Sequence, residues 1–467
     1  MIYRVFLLAV TTFSRLAGSV VVFFILAKYY SVEMFGLFMY LFVFATIFTL
    51  VADYGFRVQI IKEMKGGRGN SWRIVESFLT AKHILSLSVL ILALIVLWVY
   101  LENYFQFILF AVLLLSLIAH SYTLFFYYPL RALDRFEKES KASVIANISL
   151  FVFVGICVLL DGGLIAVSLI FLTIRMFTAL VAWKELRQCI GCRFFGSNIR
   201  FGVKRLKTGF PYGVHVAVGV IYFNIDTLLI EYYLGKEEVG VYQAGIRIIV
   251  GLQLAADVIV NSFLTILARK RHDFSIYYES SGDLVRYLLL IGALLSLMLT
   301  MFGSDMVTLL GEDDYSDLVY YLPFMSIILV IRFYGAGVGL LLTLEDMQYY
   351  RVLSVCVALL IGIIANILFL EKYGLSAVVL VSIGTHLILT FMYYYFLPRQ
   401  IKNRVFTYGE LLLVLILIVH YLGVFVFNAW ESGVAYFTVL IYTIIALSVK
   451  SKDVMYLKKM VFREEKQ

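Results

Sequence analysis

Charged residues, proline and cysteine are all scarce in this chain of 467 residues. Only 15% of the residues are charged and 62% are hydrophobic, whereas a soluble domain is usually about a quarter charged, so a soluble globular protein is excluded. The four prolines leave room for long uninterrupted helices. Of the four cysteines, Cys189 and Cys192 form a CxxC pair, but a single pair is weak evidence for zinc or redox chemistry. We therefore expect no metal and no cofactor.

Long apolar runs recur along the whole length. A membrane-spanning helix needs roughly 20 apolar residues. The segments that meet this length are 5–27, 36–56, 79–100, 105–127, 142–160, 163–183, 209–232, 240–266, 285–303, 318–343, 352–370, 374–397, 409–427 and 432–449. The sequence predicts an all-α membrane protein of about fourteen transmembrane helices.

The basic residues collect in every second linker. Most of the 39 Lys and Arg residues fall in the even linkers and the C-terminal tail, whereas odd linkers are neutral or acidic, as at 311–314. Cytoplasmic loops of membrane proteins carry this excess of Lys and Arg. The pattern predicts that both termini are cytosolic, and it explains the net charge of +8 without nucleic acid.

An internal repeat divides the chain. The same interval separates Gly36 from Asp53 and Gly240 from Asp257, and an Ile-Ala-Asn-Ile motif occurs at 145–148 and again at 364–367. Six spans per copy give both copies the same orientation, as in parallel-repeat transporters. We predict an N-terminal lobe at 1–207, a C-terminal lobe at 208–400, and two further spans with a basic tail at 401–467.

Six basic residues fall within or at the edge of predicted spans. Two of them, Arg57 and Lys82, lie near cytosolic ends, where a long side chain can reach water. The deeper ones each cost about 2.5–3.5 kcal/mol at a helix centre, so we expect them to face water or a partner charge. These are Arg15, Arg175, Arg247 and Arg332.

Helical spacing places further polar residues beside these arginines. Because Arg binds phosphate oxygens in a bidentate manner, the set predicts a cationic cavity for an anionic, phosphate-bearing substrate. Structural pairing of Arg15 with Asp53 or of Arg247 with Asp226 is the alternative. His215 shares a face with Asp226, which makes proton coupling at these two a hypothesis. The candidate substrate-binding residues are Arg15, Arg175, Arg247, Arg332, Asp53, Asp226, Asp257, Gln243 and Asn261.

Several short motifs occur in an order and spacing that resembles a known family. They are Phe-Ser-Arg-Leu-Ala-Gly at 13–18, Ala-Lys-Tyr-Tyr at 27–30, Glu-Met-Phe-Gly at 33–36, Ala-Asp-Tyr-Gly at 52–55, Thr-Gly-Phe-Pro-Tyr at 208–212, Asn-Ile-Asp at 224–226, Leu-Gly at 234–235, Val-Gly-Val-Tyr at 239–242 and Gly-Leu-Ser-Ala at 374–377. The chain resembles the Wzx-type polysaccharide flippases of the multidrug/oligosaccharidyl-lipid/polysaccharide exporter superfamily up to about residue 400.

The resemblance implies two six-helix lobes that form a V around a cationic cavity and work by alternating access. It implies that undecaprenyl-pyrophosphate-linked oligosaccharide, such as an O-antigen unit, is flipped to the outer leaflet of the bacterial inner membrane, beside other polysaccharide-assembly membrane proteins. Arg15 and Arg247 are the residues that fit the family's substrate-binding arginines. The assignment of Arg175 and Arg332 to the substrate site depends only on the cost of burying their charge.

Two other functions were weighed. A cation-coupled drug or metabolite antiporter would have the same fold, although the first span carries an Arg and no carboxylate, which argues against cationic drugs. A membrane enzyme, such as a polysaccharide polymerase, needs a sizeable outer loop, and the longest predicted outer linker is only about fifteen residues. We therefore expect a transporter and not an enzyme.

Overall fold

The computed structural model describes residues 14, 18, 20–65, 71–100, 103–133, 135–195, 198–271, 273–311, 314–406 and 408–427. Within these ranges the regular structure is entirely helical. The helices are α1 (Val20–Tyr29), α2 (Val32–Asp53), α3 (Phe56–Lys65), α4 (Ser71–Tyr100), α5 (Tyr104–Ala132), α6 (Phe136–Leu159), α7 (Leu164–Ile190), α8 (Ile199–Leu234), α9 (Lys236–Lys270), α10 (Phe274–Thr308), α11 (Ser316–Leu344), α12 (Gln348–Tyr373), α13 (Leu375–Phe396), α14 (Arg399–Val405) and α15 (Tyr408–Phe427).

The second to twelfth predicted spans are confirmed. In the described ranges, 11 helices are long and apolar enough to cross a membrane, and each overlaps one of these spans. The thirteenth span corresponds to α15. Most of the first span and all of the fourteenth lie outside the described residues, so the total of fourteen stays a prediction. The protein is a multi-pass helical membrane protein.

The helices pack in two groups that follow the chain. In the first group, α5 packs against α2 and α7, and α7 against α6. In the second group, α11 packs against α9, α10 and α13, while α12 packs against α8 and α13. The groups meet where α2 contacts α8 and α9, and where α4 contacts α8. The predicted boundary at 207/208 falls inside α8, and the division into lobes stays a prediction.

The two glycines of the repeated motif meet where the groups join. A Cβ on Gly36 of α2 would lie 1.8 Å from the carbonyl oxygen of Lys236, at the start of α9. A Cβ on Gly240 of α9 would lie 2.3 Å from the carbonyl oxygen of Val32, at the start of α2. Each helix thus uses its own copy of the glycine to let the other's backbone approach.

The repeated asparagines also occupy matching places. Asn147 of α6 donates to the hydroxyl of Ser14 at 3.4 Å, and its Cβ lies 2.8 Å from where a Cβ on Gly18 would be. Asn366 of α12 donates to the carboxylate of Asp226 in α8 at 2.9 Å. In each copy, therefore, the asparagine on the fifth predicted span contacts a residue of the first predicted span. The contacted residue is a neutral serine in the first copy and an aspartate in the second.

At the basic end of the bundle, the first turns of α8 lie on the first group. The hydroxyl of Tyr54 donates to the carbonyl oxygen of Leu206 at 3.0 Å. Arg205 forms an ion pair with Glu63 and places its guanidinium 4.5 Å from the ring centre of Phe78. The groups therefore touch at both ends of the bundle.

Candidate functional site

A polar cavity of about 200 Å³ lies at mid-depth in the second group of helices. Its walls come from α8, α9, α11 and α13. It is lined by Tyr222, Phe223, Asn224, Asp226, Tyr242, Gln243, Ile246, Arg247, Val250, Ile328, Arg332, Ser382 and His386. The cavity brings together four of the predicted site residues, Asp226, Gln243, Arg247 and Arg332, which lie on three different helices.

Arg247 occupies one wall of this cavity and forms no ion pair with a carboxylate of the described residues. Its guanidinium donates to the side-chain oxygen of Gln243 at 3.1 Å, and the Gln243 amide donates in turn to the Thr227 hydroxyl at 2.6 Å. The Nε of Arg247 is buried and has no hydrogen-bond partner in the described part of the chain. An unpaired buried N–H of a charged group is costly, so this atom favours an anionic ligand.

The ring of Phe23 covers the other face of Arg247. The guanidinium carbon lies 4.4 Å from the ring centre, within the range of a cation–π contact. Phe23 belongs to α1, so this contact joins the first group of helices to the second. It stabilises the cation by about 2 kcal/mol when water is excluded, but it satisfies no N–H.

Arg332 of α11 faces the same cavity. Its guanidinium carbon lies 5.0 Å from the ring centre of Phe223, and no hydrogen bond to it is found among the described residues. The imidazole of His386, on α13, lies near the same phenyl ring, with 6.2 Å between ring centres. Two guanidinium groups and an imidazole therefore converge on one small volume.

Asp226 is engaged by neutral donors and not by an arginine. Its carboxylate accepts hydrogen bonds from Tyr242 at 3.1 Å, from Asn366 at 2.9 Å and from Ser382 at 2.9 Å. These donors come from α9, α12 and α13, so the carboxylate holds four helices together. Among the described residues, it forms no ion pair with Arg247, which was the structural alternative.

Asp53 lies in the first group and has a cationic partner there. Its carboxylate forms an ion pair with Lys82 at 3.1 Å, and Ser121 donates to the same oxygen. The sequence predicts that Lys82 reaches water, and this is wrong, because its side chain is fully buried and its ammonium also donates to the Ala52 carbonyl at 3.1 Å. The ion pair with Asp53 outweighs the gain in hydration that a free ammonium would have at the membrane surface.

Arg175 lies in α7, away from the cavity. It donates to the hydroxyl of Ser116 at 2.9 Å, and its guanidinium carbon lies 5.0 Å and 5.8 Å from the ring centres of Phe171 and Phe42. Phe42 in turn packs edge-on against Phe23, with 5.3 Å between ring centres. Arg175 is therefore linked to Arg247 through two aromatic rings, because Phe42 contacts Arg175 and packs against the Phe23 ring that covers Arg247.

The other predicted site residues are not brought to this cavity. Asp257 and Asn261 lie further along α9, where the Asn261 amide donates to the Asp257 carbonyl at 2.7 Å, and neither lines the cavity. Asp257 is nevertheless close enough to Arg332 for electrostatic attraction. Arg15 lies outside the described residues, and so does the side chain of His215, although α8 runs through that position.

The CxxC pair lies at the end of α7. Burial raises the pKa of the Cys192 thiol to about 11, so its reactive thiolate is scarce at neutral pH. In the described part of the chain, no group of three His, Cys, Asp or Glu side chains is placed to hold a metal ion.

An apolar groove of about 760 Å³ runs between α10, α11, α13 and α15. Its lining is almost entirely aliphatic and aromatic, with Tyr334, Phe391 and Leu417 on three of the four helices. A surface of this kind suits a hydrocarbon chain.

Several solved transporter structures have a similar fold. The lipid II flippase MurJ, in an inward closed conformation, aligns with a TM-score of 0.72 at 17% identity, over 96% of this chain and 99% of that one. An inward-facing multidrug resistance MATE transporter of the MOP superfamily aligns with a TM-score of 0.65 at 15% identity, over 82% of this chain and 93% of that one. A Vibrio cholerae MATE transporter aligns with a TM-score of 0.60 at 12% identity, over 84% of this chain and 94% of that one. These matches show that the chain shares its fold with these proteins.

The family follows from the sequence match. The model of the polysaccharide biosynthesis protein family matches residues 5–268, which is more than half of the chain. The protein therefore belongs to this family, as its motifs predict. A comparison with curated protein sequences finds no match.

Sequence reasoning missed His386. Nothing in its local pattern separates it from His120 or His420, which also lie in predicted spans. A polar stripe on α13 is the signal that could have identified it as a site residue, since Ser382 lies one turn before it on the same face. Its position beside Arg332 depends on how α11 and α13 pack.

Proposed function

We propose that this protein is a flippase for undecaprenyl-pyrophosphate-linked oligosaccharide, such as an O-antigen or other surface polysaccharide unit. It carries this substrate from the inner to the outer leaflet of the bacterial cytoplasmic membrane by alternating access. Both termini are cytosolic in this proposal, because the basic linkers then lie on the cytosolic side.

The observation that carries the proposal is the pair of open guanidiniums in the cavity. Arg247 and Arg332 come from neighbouring helices, and Arg247 keeps a buried N–H without a partner among the described residues. Asp226, the carboxylate of the same cavity, is already saturated by three neutral donors. The space therefore suits a group with several acceptor oxygens and negative charge, which a pyrophosphate has.

The lipid part of the substrate has a matching surface. The apolar groove beside α15 runs over helices α11 and α13, which also carry Arg332 and His386. A substrate with an anionic head and a long hydrocarbon chain could thus contact both surfaces of the same two helices. Arg15 completes the proposed set of substrate-binding arginines on the basis of family resemblance. Arg175 contacts Phe42, which packs against Phe23, so we propose that it supports the cavity indirectly.

The second candidate is a cation-coupled drug or metabolite antiporter of the same fold. It is favoured by the MATE-type fold and by one observation, the buried Asp226, which could exchange a proton or another cation as the helices move. Coupling by Asp226, with His215, also fits the flippase and remains part of our proposal there.

The test is complementation of a strain that lacks the gene. We expect Arg247→Ala and Arg332→Ala each to reduce surface glycan by about tenfold or more, because each removes charge-assisted hydrogen bonds worth about 1.5–3 kcal/mol. Lipid-linked glycan should then accumulate in the inner leaflet. The readouts are glycan staining at the surface and extraction of the lipid-linked precursor.

The matched control is Arg271→Ala. Arg271 is exposed just after α9 and pairs with Asp346 at 2.9 Å, in an ion pair at the surface that contributes little. Loss of this ion pair should leave the amount of surface glycan unchanged. If the two cavity variants keep normal display while the strain shows altered drug susceptibility, the antiporter replaces the flippase.

A further inference from the structure

His386 is held in one tautomer by the backbone of its own helix. Its Nδ1 lies 2.8 Å from the carbonyl oxygen of Ser382, and a carbonyl oxygen can only accept a hydrogen bond, so Nδ1 carries the proton. In the neutral ring Nε2 is then a bare acceptor. This Nε2 is buried and has no hydrogen-bond partner among the described residues.

The surroundings of Nε2 suit a ligand. His386 packs against Tyr222, with 5.4 Å between ring centres, and shares Phe223 with Arg332. A proton on Nε2 would add a second positive charge beside this arginine, which disfavours it while the cavity holds no anion. The titratable and charged groups that line the cavity with His386 are Tyr222 and Asp226 on α8, Tyr242 and Arg247 on α9, and Arg332 on α11, and Asp257 on α9 lies within electrostatic reach of this arginine.

A diphosphate that links a lipid to a sugar offers only acceptor oxygens. Each of its phosphates carries two ester or anhydride links, one negative charge and no hydroxyl group. Such an anion repels a bare Nε2 and attracts a protonated one. Its charge also offsets that of Arg332, which removes the reason for the imidazole to stay neutral.

We propose that His386 takes up one proton when the cavity binds an anion, and that the resulting imidazolium is a third cationic contact beside Arg247 and Arg332. The proton comes from solvent and binds to Nε2, while Nδ1 keeps its bond to Ser382. Asp226 supports the charged ring, because the Ser382 side chain donates to Asp226 while its carbonyl holds the imidazole. Substrate binding and proton uptake are thereby coupled at one residue. The inference rests on the proposed function.

Calorimetry on the purified full-length protein tests this directly. The probe is a short-chain prenyl diphosphate diester of N-acetylglucosamine, titrated at pH 7.5 in MOPS, HEPES and Tris. Phosphate buffer is avoided because it could compete for the site. We expect the binding enthalpy to vary with the buffer's ionisation enthalpy by an amount that corresponds to uptake of about one proton. From pH 7 to pH 8 the affinity should fall by about tenfold, since the bound state holds one more proton.

The decisive variant is His386→Gln. The glutamine amide can donate to the anion without titrating, so we expect the probe still to bind, with no buffer dependence and no fall in affinity between pH 7 and pH 8. The matched control is His420→Gln. His420 is a buried histidine of α15 that lies 3.1 Å from the Thr300 hydroxyl, away from the cavity, so its loss should leave the wild-type proton uptake in place.

The outcomes separate the two proposals. Binding of the probe to the wild type without proton uptake, or unchanged uptake in His386→Gln, overturns the role of His386 and leaves the flippase standing. Failure of the folded wild type to bind the probe overturns both. A monodisperse gel-filtration profile and an unchanged melting temperature show that the glutamine variant is folded.

Discussion

The two copies of the repeat treat their buried charges in opposite ways. In the first copy, Asp53 is neutralised by Lys82, and Asn147 faces the uncharged Ser14. In the second copy, Asn366 faces the carboxylate of Asp226, and two guanidiniums line a cavity without an ion pair in the described residues. Among the described residues, the first copy therefore pairs its buried aspartate with a cation, whereas the second leaves two guanidiniums available to a ligand.

This difference arises in a shared framework. The glycines Gly36 and Gly240 make reciprocal backbone contacts, and the two asparagines hold equivalent places. The scaffold thus tolerates different polar chemistry at matching positions.

The largest effect is expected from closing the space at the repeated glycines. In Gly36→Ala the new methyl group would overlap the Lys236 carbonyl, a backbone atom that cannot move without shifting α9. We expect transport to be abolished and the melting temperature in detergent to fall by several degrees. Gly240→Ala should lower transport and the melting temperature to the same extent if the two glycines contribute equally to the contact between α2 and α9.

The control for this experiment is Gly219→Ala. Gly219 is also a helical glycine, but a Cβ there meets nothing within 4 Å, so the change should be neutral or slightly stabilising. Equal tolerance of alanine at all three glycines would contradict the reciprocal contact.

A smaller but still large effect is expected at the ion pair of the first copy. Lys82→Met leaves Ser121 and the carboxylate of Asp53, which is 33% exposed, without their cation, and this should destabilise the protein by about 1–3 kcal/mol. Thermal unfolding in detergent measures the loss. The double variant Asp53→Asn/Lys82→Met should recover much of it, and a double as unstable as the single variant would argue that packing and not charge is responsible.

The smallest effect is expected where the two copies touch through an aromatic ring. Phe23→Leu keeps an apolar contact but removes the cation–π interaction with Arg247, worth about 1–2 kcal/mol. Because the ring satisfies no N–H of the guanidinium, we expect a small fall in the melting temperature and little change in the affinity for a diphosphate probe. Thermal unfolding and calorimetry measure the two quantities, and markedly weaker binding would mean that Phe23 contacts the ligand itself.

Sequence reasoning predicted the spans well. The second to twelfth were recognisable because a helix in lipid must satisfy every backbone group internally and present about 20 apolar residues. The stripe of Gln243 and Arg247 was predicted for a similar reason, since one turn of a helix places such residues on one face.

Partners across helices were harder to predict. Asp226 was a candidate partner of Arg247, yet its donors come from α9, α12 and α13. Lys82 was predicted to reach water because it lies near the end of a span, but the packing of α4 against α2 and α5 buries it beside Asp53. Residue spacing along one helix carries no information about which face of another helix it meets.

The sequence by itself determined the membrane setting, the helical class and the positions of Arg175, Arg247 and Arg332 within spans. These follow from local physical requirements, because apolar length and the cost of a charge in lipid can be evaluated one segment at a time. Only the tertiary structure decided which charges are neutralised and which are open. Arg175 and Arg247 both lie deep in their spans, but only the second lines a cavity with another arginine and a histidine, because electrostatic satisfaction depends on distances between helices that are far apart in sequence.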